Sequence, residues 1–237
     1  MKILFMGRKQ VSANLLRFLT KQDHIEIVGV LTDSHLQGSP TTAAAQELGL
    51  PLYTFDTALE AMREGRLKYD LGLSVLYWRK LRDEFLSIPT LGTINFHPAL
   101  LPEYKGTGGY NLAIMDELNE WGNTAHYVDA SIDTGEIIEV DRFPIDAETE
   151  TAQSLERKTM QALEDFARRI ITRAIESKTK LPTTPNIGGR YVSRDEMEAM
   201  KQIRDGDNIE KKIRAFWFPP YDGAYVEING QKYTLIN

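Results

Sequence analysis

Residues 2–32 read KILFMGRKQVSANLLRFLTKQDHIEIVGVLT, and the alternation inside this stretch decides the fold class. Lys2 to Met6 is a short apolar run of strand type, and Val11 to Lys21 places Val11, Leu15, Phe18 and Leu19 at helical spacing. Ile25 to Thr32 is β-branched and continuous, the pattern of a strand buried on both faces. The alternation continues outward. A helix over Thr42 to Leu48 is stopped by Gly49 and Pro51, and a strand over Leu52 to Phe55, a helix over Ala58 to Arg66 and strands over Leu71 to Leu76 and Gly92 to Phe96 follow. This order predicts an α/β fold with a doubly wound, mostly parallel sheet.

After residue 97 the register changes. Pro98, Pro102, Gly106, Gly108 and Gly109 punctuate a loop, the kind of segment that carries function on a rigid scaffold. Next come a helix over Tyr110 to Asn119, strands over Asn123 to Val128 and Gly135 to Phe143, and a long helix over Thr151 to Ser177. That last helix sets Leu155, Met160, Leu163, Phe166, Ile170 and Ile171 at core spacing. Beyond the turn-forming stretch Pro182 to Gly189, Ser193 with Glu196 and Asp207 with Glu210 are spaced as capping boxes, which predicts two short helices. Alternating runs over Tyr225 to Ile228 and Gln231 to Ile236 flank Asn229-Gly230, the signature of a hairpin with a type I′ turn. The expected division is a main domain over 1–185 and a small appendage of helices and a β-hairpin over 186–237.

The 237 residues are 42% hydrophobic and 26% charged, contain no Cys and carry a formal net charge of −6. Without Cys, thiol catalysis, thiolate zinc sites and disulfide frameworks are excluded. The acidic balance disfavours nucleic acid as a partner. No run of about 18 apolar residues is present to span a membrane, and the apolar run from Met1 to Met6 is too short for a signal peptide, so cytoplasm is the default. His24, His35 and His126 make no zinc-hydrolase spacing with one another or with His97, so no metal is expected. The dinucleotide motif Gly-x-Gly-x-x-Gly is missing after the first strand, where Met6-Gly7-Arg8-Lys9 stands instead, and nicotinamide binding falls with it. The cationic pair Arg8 and Lys9 reads either as surface charge or as an anchor for a small phosphorylated ligand.

Ile94-Asn95-Phe96-His97-Pro98 sets Asn95 and His97 two apart at a strand end, so both side chains point to the same side. Ligands of open α/β sheets bind at such carboxyl ends. An amide that donates hydrogen bonds beside an imidazole that moves protons suits acyl transfer through a tetrahedral intermediate. The alternative is a hydrogen-bonded strand terminus with no chemistry. Asp133-Thr134-Gly135 reads on its own as a tight turn with the Asp side chain bonded to its own backbone. An aspartic protease would need a second such carboxylate in a different fold.

The string from Ile94 through Asn95, His97, Pro98, Leu101, Pro102 and Gly106, joined to the segment Gly122 to Ile138 with its Asp133-Thr134-Gly135, resembles the 10-formyltetrahydrofolate-dependent formyltransferases. The resemblance runs through most of residues 1 to 180. It implies a Rossmann-like sheet of the formyltransferase type, 10-formyltetrahydrofolate as co-substrate, and Asn95, His97 and Asp133 as the catalytic residues. It also implies that the pterin lies between the loop after the fourth strand and the segment Asp129 to Asp133, which nominates Tyr77, Leu81, Asp129 and Ile132 as folate contacts. Tyr77 and Trp78 read equally well as an aromatic pair packed at a strand end.

The acceptor amine is harder to read. Methionyl-tRNA formyltransferases are similar into the segment Arg214 to Ala224, but they carry a larger C-terminal domain, and a charge of −6 gives little phosphate-neutralising surface. Glycinamide ribonucleotide formyltransferases have a Gly-rich phosphate loop that Arg8-Lys9-Gln10-Val11 does not match. The sugar N-formyltransferases, which act on nucleotide-linked amino sugars, fit best. That resemblance implies a dTDP-linked 3-amino or 4-amino dideoxysugar made for bacterial surface polysaccharide, and a homodimer. Arg8, Lys9, Arg79 and Lys105 are then candidates for the diphosphate, and Trp217 and Tyr221 for stacking on the base. Trp217 and Phe218 suit a hydrophobic seam or a dimer interface as well. A methionyl-tRNA or other small-amine formyltransferase, or a folate-binding sensor without turnover, are the remaining alternatives.

Overall fold

The computed structural model describes residues 1–32 and 38–236; His35 lies outside the described residues. In chain order the elements are β1 (Lys2–Gly7), α1 (Gln10–Leu19), β2 (Glu26–Leu31), α2 (Pro40–Glu47), β3 (Leu52–Tyr53), α3 (Phe55–Arg63), β4 (Leu71–Val75), α4 (Asp83–Ser87) and β5 (Thr93–His97). They continue as β6 (Tyr104–Gly106), α5 (Gly109–Met115), β7 (Glu120–Tyr127), β8 (Ile137–Pro144), α6 (Ala152–Ser177), β9 (Arg190–Val192), α7 (Arg194–Met200), α8 (Ile209–Phe216), β10 (Tyr225–Ile228) and β11 (Gln231–Thr234).

Strands β3-β2-β1-β4-β5-β7-β8 form one seven-stranded sheet in that order. The pairs from β3 to β5 are parallel and β5 with β7 is antiparallel, so the sheet is mostly parallel, as the apolar runs predict. Ile3, Leu4, Phe5 and Met6 of β1 are fully buried because helices cover both faces. The order reverses between β1 and β4, and the carboxyl ends of strands at such a switch point are where ligands of open α/β sheets bind. Gly7 lets the two strands approach. A Cβ there would stand 2.6 Å from Ser12 Cβ and 2.9 Å from the Val75 carbonyl, which already accepts the Ser12 hydroxyl at 2.9 Å.

The chain divides into two compact units, residues Met1–His97, Thr124–Val140 and Leu163–Asn186 in the first, and Pro98–Asn123, Asp141–Ala162 and Ile187–Asn237 in the second. The second is larger than the appendage expected over 186–237. Asn111 donates to the Ala215 carbonyl at 2.6 Å, Arg214 to that of Ala147 at 3.3 Å, and the Gln153 amide to that of Trp217 at 3.1 Å. These bonds tie α5 and the start of α6 to the C-terminal helices, contacts of long sequence separation that local patterning does not reveal.

Several boundaries move for local reasons. Thr54 caps α3 in a capping box with Thr57, so that helix begins at Phe55 and β3 is correspondingly short. Ser39 caps α2 with Pro40 in the first turn, two residues ahead of the expected start. Ser193 and Glu196 form the expected box on α7. The expected box at Asp207 does not form. Asn208 caps α8 through the Lys211 amide at 3.0 Å, while Asp207 accepts from Lys212 Nζ at 2.6 Å and the Arg204 amide at 2.7 Å. The hairpin β10–β11 turns on Asn229 and Gly230 at φ 53° and 78°, both left-handed as a type I′ turn requires. α4 and the parallel pair β6–β9 are too short to register as periodicity.

Candidate active site

Asn95 and His97 sit at the carboxyl end of β5, where the antiparallel register pairs Asn95 with His126 and His97 with Thr124. Alternation puts all four side chains on one face. His97 Nδ1 lies 3.5 Å from Asp133 Oδ2, and His126 Nε2 lies 3.6 Å from the other oxygen, Oδ1. The carboxylate thus faces two imidazoles, whose ring centroids are 6.5 Å apart, and the pair it makes with neutral rings is the one to His97 Nδ1. His97 is 8% exposed and His126 2%, so this pairing is little screened by solvent. With Nδ1 turned to the carboxylate, His97 carries its proton-accepting lone pair on Nε2.

A chain of hydrogen bonds sets the Asn95 amide. The buried Ser74 hydroxyl donates to Asn95 Oδ1 at 2.8 Å, and Asn95 Nδ2 is 3.0 Å from His126 Nε2. His126 Nδ1 in turn lies 2.8 Å from the Tyr127 carbonyl, which can only accept. The proton of neutral His126 is thus on Nδ1, Nε2 accepts from Asn95, and one of the two Asn95 N–H groups is committed to His126. Neither Ser74 nor the orienting role of His126 is marked by a motif, since His126 makes no metal-ligand spacing and Ser74 lies inside an apolar strand. A polar residue inside the apolar run Leu71–Val75, next to β5, was the available signal for Ser74.

Asp133 itself is left-handed at φ 55°. The turn interpretation proves right for a different residue: Asp129 Oδ1 accepts from the Ser131 amide at 3.0 Å and the Thr134 hydroxyl at 2.6 Å, while the Asp133 carboxylate faces the histidines. Gly135 is required by a close approach, since a Cβ there would fall 1.8 Å from the Tyr127 carbonyl.

The nominated folate contacts take distinct places. Tyr77 is half-buried, Trp78 51% exposed and Ile132 42% exposed, whereas Leu81 belongs to the hydrophobic core with Phe55, Met62 and Phe85. The loop after β4 and the segment after β7 do come together: Leu81 and Ala130 line one open cavity of about 530 Å³ bordered by Lys80 and Arg82. Of the nominated diphosphate contacts, Arg8 bonds the Leu76 carbonyl at 3.4 Å and so sits at the switch point beside Lys9. The Arg79 guanidinium lies over the Phe55 ring at 4.5 Å. Lys105 is buried in the second unit with Nζ on the Gly188 carbonyl at 2.7 Å. Trp217 and Tyr221 belong to that unit too: Trp217 ends α8, and Tyr221 is 62% exposed against Phe218. Among the described residues no group of three or more His, Asp or Glu is placed to hold a metal ion, and no helix is long and apolar enough to cross a membrane.

A family model described as formyl transferase matches residues 1–171. The chain belongs to the formyl transferase family. As a formyl transferase it is an enzyme of one-carbon transfer, and its sheet is the one expected of that fold. Over 241 residues it is 29% identical to the methionyl-tRNA formyltransferase of Lysinibacillus sphaericus, covering 94% of this chain and 74% of the relative. In fold it matches a 4-N formyltransferase from Francisella tularensis with a TM-score of 0.82 and 20% identity, over 100% of this chain and 96% of that one. It also matches an N-formyltransferase from Helicobacter canadensis, solved with folinic acid and dTDP-3-aminofucose, with a TM-score of 0.76 and 25% identity over 98% and 86% of the two chains.

Proposed function

We propose that this formyl transferase moves a formyl group from 10-formyltetrahydrofolate to the amine of a nucleotide-linked 3-amino or 4-amino dideoxysugar. The observation that carries the reading is the single array of Asn95, His97 and Asp133, joined to the likeness with an enzyme solved with folinic acid and dTDP-3-aminofucose. In this reading His97 Nε2 accepts the proton that the attacking amine sheds, and the Asp133 carboxylate stabilises the resulting imidazolium. Asn95 donates its remaining N–H to the formyl oxygen as that oxygen gains charge, which is worth most in a dry, fixed site. The proton held by the His97–Asp133 pair is then available to the departing folate nitrogen, so the transfer closes without net proton gain. Tyr77 and Ile132 offer apolar surface to the pterin, and Lys80 and Arg82, beside the acidic Asp83 and Glu84, offer cations to the glutamate tail of the folate. Arg8, whose Nε donates to the Leu76 carbonyl, and its neighbour Lys9 are the cations assigned to the diphosphate in this reading.

The identity with methionyl-tRNA formyltransferases favours a second reading, in which the same array formylates charged initiator tRNA. The test is formyl transfer from 10-formyltetrahydrofolate to a panel of dTDP- and UDP-linked 3-amino and 4-amino sugars, with methionyl-tRNA alongside and His97→Asn as the blank. Turnover on a sugar at low salt and high salt alike supports the proposal. Turnover confined to tRNA and weakening steeply with salt replaces it with the second reading.

A further inference from the structure

We propose that Asn186 is a positioning residue for formyl transfer: it holds the Asp133-Thr134-Gly135 turn in the conformation that aims the Asp133 carboxylate at His97. Asn186 Nδ2 donates to the Asp133 carbonyl at 3.0 Å and to the Gly135 carbonyl at 2.9 Å, so both of its protons are used, one on each side of Thr134. Because both partners are carbonyls, only the NH2 end of the amide can make these bonds, and the orientation of the side chain is determined.

The turn needs such a clamp. Asp133 is held at φ 55°, in the left-handed region that Asp enters more readily than most residues with a Cβ but that the α and β regions outcompete when nothing holds the backbone there. Gly135 packs so closely on the Tyr127 carbonyl that the turn cannot relax in that direction. Asp129 braces the turn from its amino-terminal side through Ser131 and Thr134, and Asn186 is the side chain that braces it from the other. The Asn186 Oδ1 atom is buried with no hydrogen-bond partner among the described residues, an unfavourable feature that accompanies the two bonds made by Nδ2.

The segment that delivers Asn186 is anchored without it. The Leu181 amide donates to the Tyr127 hydroxyl at 2.8 Å, Thr184 and Ile137 exchange backbone bonds at 2.8 and 2.9 Å, and the Thr183 hydroxyl donates to Glu136 at 3.1 Å. Removing the Asn186 amide therefore frees the turn while leaving this strap in place. The inference rests on the reading of Asp133 as the partner of His97, and the experiment separates the two.

The measurement is the pH titration of the His97 ring by NMR, assigned by loss of its signal in His97→Asn and followed together with His126, the other imidazole facing the carboxylate. A nearby carboxylate favours imidazolium, so withdrawing it lowers the midpoint. Asp133→Asn sets the full size of that shift. Asn186→Ala is expected to give at least half of it, Asn186→Ser, which keeps one donor, a smaller part, and Thr183→Ala none. On an acceptor that the wild type turns over, Asn186→Ala should lower kcat and leave KM for the acceptor within about twofold, whereas KM for the folate, whose proposed contact Ile132 lies in the freed turn, rises with it. An unmoved His97 midpoint in Asn186→Ala, beside a moved one in Asp133→Asn, overturns the proposal. No shift in Asp133→Asn overturns the His97–Asp133 reading itself. If Asn186→Ala loses its folded spectrum, the comparison is made on Asn186→Ser, where a midpoint equal to wild type is likewise fatal.

Discussion

Asn95 and His126 are cross-strand partners, and the Asn95 amide nitrogen stands 3.0 Å from Nε2 of His126. The bond commits one amide proton and directs the other, and Ser74 completes the arrangement from β4 by donating to Asn95 Oδ1. The oxyanion donor of the proposed reaction is thus oriented by two side chains that need not touch the substrate themselves.

His126→Phe puts a somewhat larger apolar ring in place of the imidazole and removes the acceptor, and Ser74→Ala removes the donor. Each should lower kcat roughly tenfold, short of the 10²–10³ typical when an oxyanion donor is itself deleted. Since both act on one amide, the double variant should lose less than the product of the two factors. A strictly multiplicative loss in steady-state assays would mean that they work through different groups.

Asp133→Asn retains the shape of the turn and removes the charge beside His97. Its kcat is expected to fall by on the order of 10² or more, with smaller changes in KM, as for loss of the group that supports a general base. Pre-steady-state formyl transfer at saturating substrates gives the value directly. A rate near wild type would remove Asp133 from the chemistry.

Gly135→Ala introduces a Cβ where the Tyr127 carbonyl already is. The backbone must move, and Asp133 with it. A displacement of about 1 Å at a reacting group can cost on the order of 100-fold in rate, so this variant should resemble Asp133→Asn in kcat. Comparing its melting temperature with that of Gly188→Ala, at an open left-handed position, separates lost activity from backbone strain.

Glu139 of β8 meets Arg169 and Arg173 of α6. Partial burial pushes its carboxyl up, but hydrogen bonds from the two guanidiniums outweigh burial and hold it below the ordinary value of 4.5. A lowered folded-state value means that the stabilisation is fully present above the unfolded value and is lost as pH falls through the folded one. Glu139→Gln should therefore melt below wild type at pH 7, and the difference should shrink as pH drops below about 4. A difference independent of pH in calorimetry would show that packing, not charge, is what the substitution removes.

Strong local patterns made much of the fold legible. The buried run at Ile3 to Met6, the amphipathic faces of α1 and α6 and the Asn229-Gly230 turn each follow from periodicity or turn chemistry, and each is found where the sequence sets it. Shorter features were not legible. The choice of Asn208 over Asp207 as a helix cap depended on Lys212 and the Arg204 amide competing for the Asp207 carboxylate, a matter of three-dimensional neighbours.

At the candidate site, the sequence alone determined which strand end carries Asn95 and His97 and that both face one side, because strand periodicity fixes direction over two residues. It also pointed to the α/β class, because apolar strand runs alternating with amphipathic helices bury their apolar surface in a parallel sheet covered by those helices. Only the tertiary structure decided that Asp133 faces the histidines while Asp129 takes the turn, that His126 and Ser74 orient Asn95, and that Asn186 reaches Asp133 from 53 residues away. Each of these is a hydrogen bond or ion pair between segments separated along the chain. Its geometry is created by the packing of the whole sheet, and no local propensity encodes it.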